Sequence, residues 1–229
     1  MPSTGIGYFS TEVLAESLFE EIGLPTNSRF AIGYSGGCDS QALLHATSRL
    51  RFRYGIEVIA LHFDHGLNEC SDTWRTQCES WCGEFDVPFL YHRQPIRAEP
   101  GESLEAKSRQ ARYAWFEQIT DKSQIILTAH HLDDQVETVM LNLFNGKGID
   151  FLCGIKQSRP LSYGGRQLVV RPLLSVSRQA LQRYNKEQKL SWINDPSNRD
   201  DRFDRNYLRN QVVPEILNRW PSASMGIHR

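Results

Sequence analysis

Two imidazoles, His130 and His131, and three carboxylates, Asp133, Asp134 and Glu137, fall within eight consecutive positions. Asp133 and Glu137 are spaced i, i+4, and Asp134 and Glu137 i, i+3, so a helix beginning here stacks the acids on one side. Acids in a first helical turn gain about 0.3–1 kcal/mol each from the helix dipole. That gain does not cancel the repulsion among three anions, which calls for a cation. Mg²⁺ and a substrate ammonium are the natural candidates. A second cluster lies earlier. Ser35-Gly36-Gly37-Cys38-Asp39-Ser40 follows the apolar run Phe30 to Tyr34 and precedes Gln41-Ala42-Leu43-Leu44. Such an order reads as a buried strand, a glycine turn and a helix start. The turn presents backbone N–H groups and two hydroxyls at the positive end of a helix, which suits a phosphate chain. Asp39 repels phosphate unless a Mg²⁺ ion bridges the two. The lysine of the pattern G-x-x-x-x-G-K-[ST] is missing, so this is not an ordinary γ-phosphate-transfer loop.

Two further sets sit at predicted element ends. Leu61-His62-Phe63-Asp64-His65-Gly66 places Asp64 and His65 at a strand tip before a glycine, where they suit nucleotide or substrate contact. Glu105, Arg109 and Arg112 recur at i, i+4, i+7 on one helix face. They form either a solvated ion-pair ladder or arginines reaching phosphate or RNA.

The elements that must hold these groups alternate. Helices are expected at 11–22, 39–50, 71–85 (capped by Ser71), 103–119, 133–144 and 177–188, and at 203–218 with a restart at Pro214. Apolar strands are expected at 29–34, 57–63, 88–92, 124–128 and 167–174. Strands apolar on both faces, separated by helices, give a doubly wound α/β fold: a parallel five-stranded sheet with helices on both faces. In such sheets ligands sit beyond the C-terminal strand ends, where every motif above falls.

The chain has 229 residues, 40% hydrophobic and 23% charged, enough for one sizeable α/β domain with a short appendix. No apolar run approaches the roughly 20 residues needed to span a bilayer, and the first five residues carry no leader pattern. No membrane association is expected. Five cysteines, an odd number with no Cys-x-x-Cys pair, fit a reducing cytoplasm. Cys78 and Cys82 read as buried packing. Net charge is −1, but residues 171–229 carry eleven Lys/Arg against six Asp/Glu. That quarter is the candidate for meeting an anionic polymer.

The S-G-G-x-D-S loop after a first strand resembles the N-type ATP pyrophosphatases, or PP-loop enzymes, which adenylate a substrate oxygen and release pyrophosphate. Several later motifs follow in that group's order: D-H-G-L, A-R-Y, A-H-H-x-D-D-Q-x-E-T, Arg171-Pro172-Leu173-Leu174, Trp192-Ile193-Asn194-Asp195-Pro196-Ser197-Asn198 and Asp204-Arg205-Asn206-Tyr207-Leu208-Arg209-Asn210. Together they resemble the tRNA(Ile)-lysidine synthases from about Arg29 to Trp220.

The resemblance implies an adenine nucleotide alpha hydrolase-like fold with ATP and Mg²⁺ as cofactors. It also implies two partners, free L-lysine and a tRNA(Ile) with a CAU anticodon, whose wobble cytidine is modified. A homodimer is left open. A catalytic domain is implied over 1–175 and a tRNA-facing helical extension over 176–229. The resemblance leads one to expect the family's usual C-terminal tRNA-binding domains to be absent. Ser35, Gly36, Gly37, Cys38, Asp39, Ser40, Asp64 and His65 would bind ATP. Asp39 and Asp134 would hold Mg²⁺. Asp39, His131, Asp133, Asp134, Glu137 and Arg112 would carry the chemistry, with His131 as a proton carrier. Arg109, Asp195, Asn198, Arg205 and Asn206 would meet tRNA. Two positions depart from the family pattern: Asn68 and Asn145 stand where arginine is common. A cytidine tRNA thiolase normally uses Cys-x-x-Cys pairs, absent here. A small-molecule amidating synthetase would need a glutaminase that this sequence does not show. A non-catalytic ATP-binding RNA module is the other alternative.

Overall fold

The computed structural model describes residues 7–99 and 101–228. The first five residues, inspected above for a leader, lie outside the described residues, as does Arg229. Six strands form one sheet in the order β3-β2-β1-β4-β6-β5. These are β1 (Arg29–Gly33), β2 (Glu57–Asp64), β3 (Phe89–Arg93), β4 (Gln124–Leu127), β5 (Ser158–Pro160) and β6 (Leu168–Val170). All neighbours are parallel except β5, which runs antiparallel to β6. The expected five strands are therefore present. The sixth, β5, is a three-residue edge strand visible only through its pairing with β6.

Helices α1 (Thr11–Ala15), α2 (Cys38–Tyr54), α3 (Ser71–Glu84), α4 (Leu104–Ile119), α5 (Leu132–Phe144) and α6 (Arg178–Glu187) connect or flank the strands. α7 (Asp204–Tyr207), α8 (Val213–Arg219) and α9 (Ala223–His228) follow. A wider π-helical stretch, Leu208–Val212, joins α7 to α8, and Pro214 opens α8, where its missing N–H costs nothing. Among the described residues no helix is long and apolar enough to cross a membrane.

Strand alternation explains the layers. Phe30, Ile32, Val58, Ala60, Leu127 and Val170 join one core with Leu14 of α1, Leu43 of α2, Cys78 of α3 and Leu181 of α6. Ala31, Leu61, Phe63, Ile126 and Val169 join a second core with Tyr113, Trp115 and Phe116 of α4. Each large apolar side chain so buried contributes about 1.5–3 kcal/mol. Cys78 and Cys82 are free and buried in the first core, as expected for packing residues.

Helix starts follow local chemistry, with one correction. Ser10, Ser103 and Ser177 cap α1, α4 and α6 by accepting from the N–H groups of Val13, Ala106 and Ala180. Ser71 does not cap α3. Cys70 takes the N-cap position with no side-chain cap; Asn68 instead folds the turn before it, its Oδ1 accepting from Cys70 N at 2.9 Å and its carbonyl from Ser71 Oγ at 2.8 Å. A side chain that bonds its own backbone two residues on competes well for this role.

From β1 the chain winds outward through β2 to β3. It returns by α4 to the other flank of β1 to form β4. Strand order therefore reverses between β1 and β4, which opens a crevice at their C-terminal ends.

Candidate active site

The crevice is a cleft of about 230 Å³, lined among others by Ser35, Asp39, Ser40, Arg112, Thr128, His130, Asp134 and Arg205. One wall comes from the loop after β1. Gly36 has φ +78°, and a Cβ there would lie 2.5 Å from Cys78 Sγ and 2.6 Å from Ile193 Cδ1. Only glycine fits both the conformation and the space. Ser40 Oγ donates to Gly37 O at 3.1 Å and meets Ser35 Oγ at 3.1 Å, so the two hydroxyls hold the turn closed. Cys38 turns inward. Its thiol and carbonyl take Asn185 Nδ2 at 3.3 and 2.8 Å, leaving the Cys38 backbone N–H as its contribution to an anion site. From α6, Asn185 thus fixes the first turn of α2.

The facing wall comes from the end of β4 and the first turn of α5. Asp134 Oδ2 accepts from His131 N at 3.0 Å, which caps α5. The His131 ring lies between acids: Nε2 is 3.5 Å from Asp39 Oδ2 and 3.6 Å from Asp134 Oδ2, and Nδ1 is 3.6 Å from Asp133 Oδ2. The loop acid and the helix acid thus share one imidazole. Burial disfavours charge on His131, but Asp134, Asp133 and Asp39 outweigh it and push its pKa up to about 10. A ring held as a cation between acids suits positioning more than carrying a proton. Burial pushes the neighbouring His130 the other way, toward neutrality, and Thr128 Oγ1 lies 3.0 Å from its Nδ1.

The cation that the acids require is largely built in. Arg209 donates to both oxygens of Glu137, at 2.6 and 3.0 Å, and lies 3.3 Å from Asp134 Oδ1. Arg205 Nε lies 3.4 Å from Glu137 Oε2 while its other nitrogens reach Glu105 Oε1 and Thr138 Oγ1. Burial lifts the Glu137 carboxyl against the pull of Arg209, and Glu137 in turn raises Arg209. Two short charge-assisted bonds describe an ionised pair. Glu137 is 1% exposed, so the structure places it behind the cleft, not in it. Asp133 is more open, its carboxylate accepting from Arg178 N at 2.9 Å.

Asp39 Oδ1 is buried with no hydrogen-bond partner. Its nearest charge is Arg178 Nε at 4.0 Å; an Asp39 carboxylate not saturated by hydrogen bonds, lining the cleft together with Asp134, fits a hard cation that completes its shell with phosphate oxygens and water. Among the described residues no three His, Cys, Asp or Glu side chains converge to hold a metal by themselves.

The remaining predicted residues are scattered. Arg112 lines the cleft. Arg109 lies outside it, 5.4 Å from the Tyr113 ring centre. The Asp64 carboxylate is consumed internally by Gly66 N at 2.7 Å and Tyr91 Oη at 3.1 Å. His65 stacks near Phe63, with a pKa pushed down to about 4 by burial and by the Arg112 charge. Asp195 accepts from Ser197 N at 2.8 Å, and Asn206 donates to the carbonyls of Ser197 and Asp200. With exposed Asn198 they brace a turn that does not line the cleft. Arg171, Arg178 and Arg209 carry site charges that residue-by-residue reading did not single out. The i, i+4 spacing of Arg205 and Arg209 was the available signal.

The family model described as a PP-loop domain matches residues 10–216. The chain belongs to the PP-loop family. A tRNA(Ile)-lysidine synthase from Coxiella burnetii is 40% identical over 206 residues, covering 90% of this chain and 45% of that one. Its counterpart from Pseudomonas aeruginosa is 40% identical over 201 residues, covering 87% and 44%. The chain thus spans under half the length of the curated relatives it matches. Among solved structures, a U34-tRNA thiolase from Methanococcus maripaludis with its [4Fe-4S] cluster superposes with TM-score 0.78 at 14% identity, covering 96% of this chain and 76% of that one. An NMN synthetase from Francisella tularensis gives 0.52 at 12% identity, covering 96% and 94%. Both show the PP-loop fold in this chain.

Proposed function

We propose that the chain is the catalytic part of a tRNA(Ile)-lysidine synthase. It would use ATP to adenylate the C2 oxygen of the wobble cytidine in a tRNA(Ile) with a CAU anticodon. The amine of free L-lysine would then displace AMP at C2. One observation carries this reading: Asp39 of the glycine loop and Asp134 of the acidic helix meet on one imidazole across a single cleft. Similarity to the lysidine synthases supports it.

The roles follow from the geometry. Backbone N–H groups of Gly36, Gly37 and Cys38, with the hydroxyls of Ser35 and Ser40, would cradle the diphosphate leaving group at the start of α2. Asp39 and Asp134 would hold Mg²⁺, which supplies charge for the departing pyrophosphate. His131 would fix the distance between those acids. Arg112 would face the α-phosphate or the RNA beside it. Asp133, the most open acid, would take the lysine ammonium and accept its proton before attack. Glu137, closed by Arg209, would act through that arginine. Asp64 and His65 would border the nucleoside, and Arg205 would close the cleft. The segment 176–229, with Asp195, Asn198 and Asn206 in its turn, would face tRNA. A soluble cytoplasmic enzyme is the setting this chemistry requires.

Incubation with MgATP, radiolabelled lysine and tRNA(Ile) tests the reading. Label transferred to the tRNA, with one AMP formed per lysine, is expected. ATP bound without AMP formation would instead make the chain a passive nucleotide-binding module. An iron–sulfur absorbance band would favour a thiolase.

A further inference from the structure

A second charged wall flanks the cleft. Arg159 of β5 and Arg109 and Arg112 of α4 lie with their guanidinium carbons 4.8, 5.4 and 5.8 Å from the Tyr113 ring centre. Arg171, 1% exposed, joins them from the end of β6. Among the described residues none of the four has a carboxylate within ion-pair distance, whereas Arg178, Arg205 and Arg209 all do. Glu105, whose charge Arg112 feels, is already bound to Arg205. The internal acceptors are neutral: Arg159 donates to the carbonyls of Pro160 and Leu161, and Arg171 to that of Lys156. Tyr113 Oη and Arg171 Nε are buried with no hydrogen-bond partner. All four guanidiniums favour the ionised phenol, although burial opposes it.

Three guanidiniums over one ring, with the Arg171 charge acting on the same phenol, repel one another. Cation–π attraction offsets only part of that. Such a cluster is stable as a receiver for an external anion with several oxygens, which the guanidinium fork matches. The diphosphate already has its cradle at the loop after β1. Of the four arginines only Arg112 lines the cleft, while Arg109 is exposed and Arg159 sits on the outer edge strand. The anion therefore comes from beside the cleft.

We propose that Arg109, Arg112, Arg159 and Arg171, gathered on Tyr113, seat a phosphodiester of the RNA strand next to the nucleotide held in the cleft. This rests on the reading of the site as an RNA-modifying centre. Arg109, Arg112 and Arg159 contact the phosphate, and Arg171 positions them through Tyr113.

The test is binding of a fluorescent anticodon stem-loop RNA to the whole chain across a salt series, beside binding of MgATP. Arg159→Ala should weaken RNA binding about tenfold. It should lower the slope of log affinity against log salt by about 0.7–0.9, the loss of one phosphate contact. Arg159→Lys should restore the slope but not the full affinity, and MgATP affinity should stay within about twofold. RNA affinity and slope unchanged in Arg159→Ala would overturn this seat and leave the wider reading standing. Weakened MgATP with unchanged RNA binding would assign the cluster to the nucleotide and equally overturn it. No RNA binding by the unaltered chain would bring down both. Should Arg159→Ala lose its cooperative thermal transition, Arg109→Gln, on an exposed side chain, reads the same contact.

Discussion

The two walls of the cleft are built on opposite electrostatic principles. Around the loop after β1 and the start of α5 each acid is matched from within the chain: Asp39 and Asp134 by His131, Glu137 by Arg205 and Arg209, Asp133 by the backbone of Arg178. On the α4 side Arg109, Arg112, Arg159 and Arg171 have only an aromatic ring and neutral carbonyls among the described residues. The first wall is closed on itself, down to Asp39 Oδ1, which has Arg178 Nε at 4.0 Å though no hydrogen bond. The second leaves its charge for something arriving from outside. A cleft of this kind separates the task of holding reacting groups still from that of recognising a large anionic partner.

The largest effect should come from Asp39. Asp39→Ala should reduce tRNA-dependent ATP–pyrophosphate exchange by three orders of magnitude or more, roughly the 10³-fold scale of losing a key electrostatic group. The thermal midpoint should change little, since the side chain is partly exposed. Exchange retained near the original rate would remove Asp39 from the chemistry.

Next comes the self-matched pairing. Arg209→Ala leaves the buried Glu137 with only the looser Arg205 contact at 3.4 Å and should cost about 3 kcal/mol in unfolding free energy, at the low end for breaking a buried pair. Adding Glu137→Gln should recover more than half of that loss in denaturant titrations. A double variant as unstable as the single one would show that packing of the arginine stem, not charge, holds α5 to the C-terminal segment.

The smallest effect tests how far the arginine wall reaches. His65 is held neutral by burial and by the Arg112 charge, with its pKa lowered from 6.5 to about 4. The unfolded chain therefore binds more protons between these values. Stability from this group is complete above about pH 6.5 and is lost as pH falls toward 4. The loss should approach about 1–2 kcal/mol by pH 5. His65→Gln should flatten that part of the profile, read as thermal midpoint against pH. An unchanged profile would place the pH dependence on other groups.

Much of the first wall was legible because its signals are local. Loop residues 35–40 and the cluster 130–137 each adjoin the strand that carries them, and period-2 and period-3.6 apolar patterns placed those strands and helices. The pairing of Glu137 was not legible, because Arg209 arrives through tertiary folding rather than helical spacing. The same holds for the arginine wall. Arg159 lies on β5, a three-residue strand with no periodicity, specified only by its antiparallel contact with β6. Asn68 shows the reverse case: a residue conspicuous as a departure from family pattern does local work, folding the turn that leads into α3 by bonding its own backbone.

The peptide N–H of Ile193 donates to the carbonyl of Gly36 at 2.9 Å, and Gly37 and Ile193 form an isolated parallel bridge. A piece of backbone far downstream in the sequence therefore completes the cradle. On the ribosome, nucleotide capture must await emergence of the chain beyond residue 193. A fragment ending at the edge of the sheet would carry every signature residue of the loop yet leave it slack.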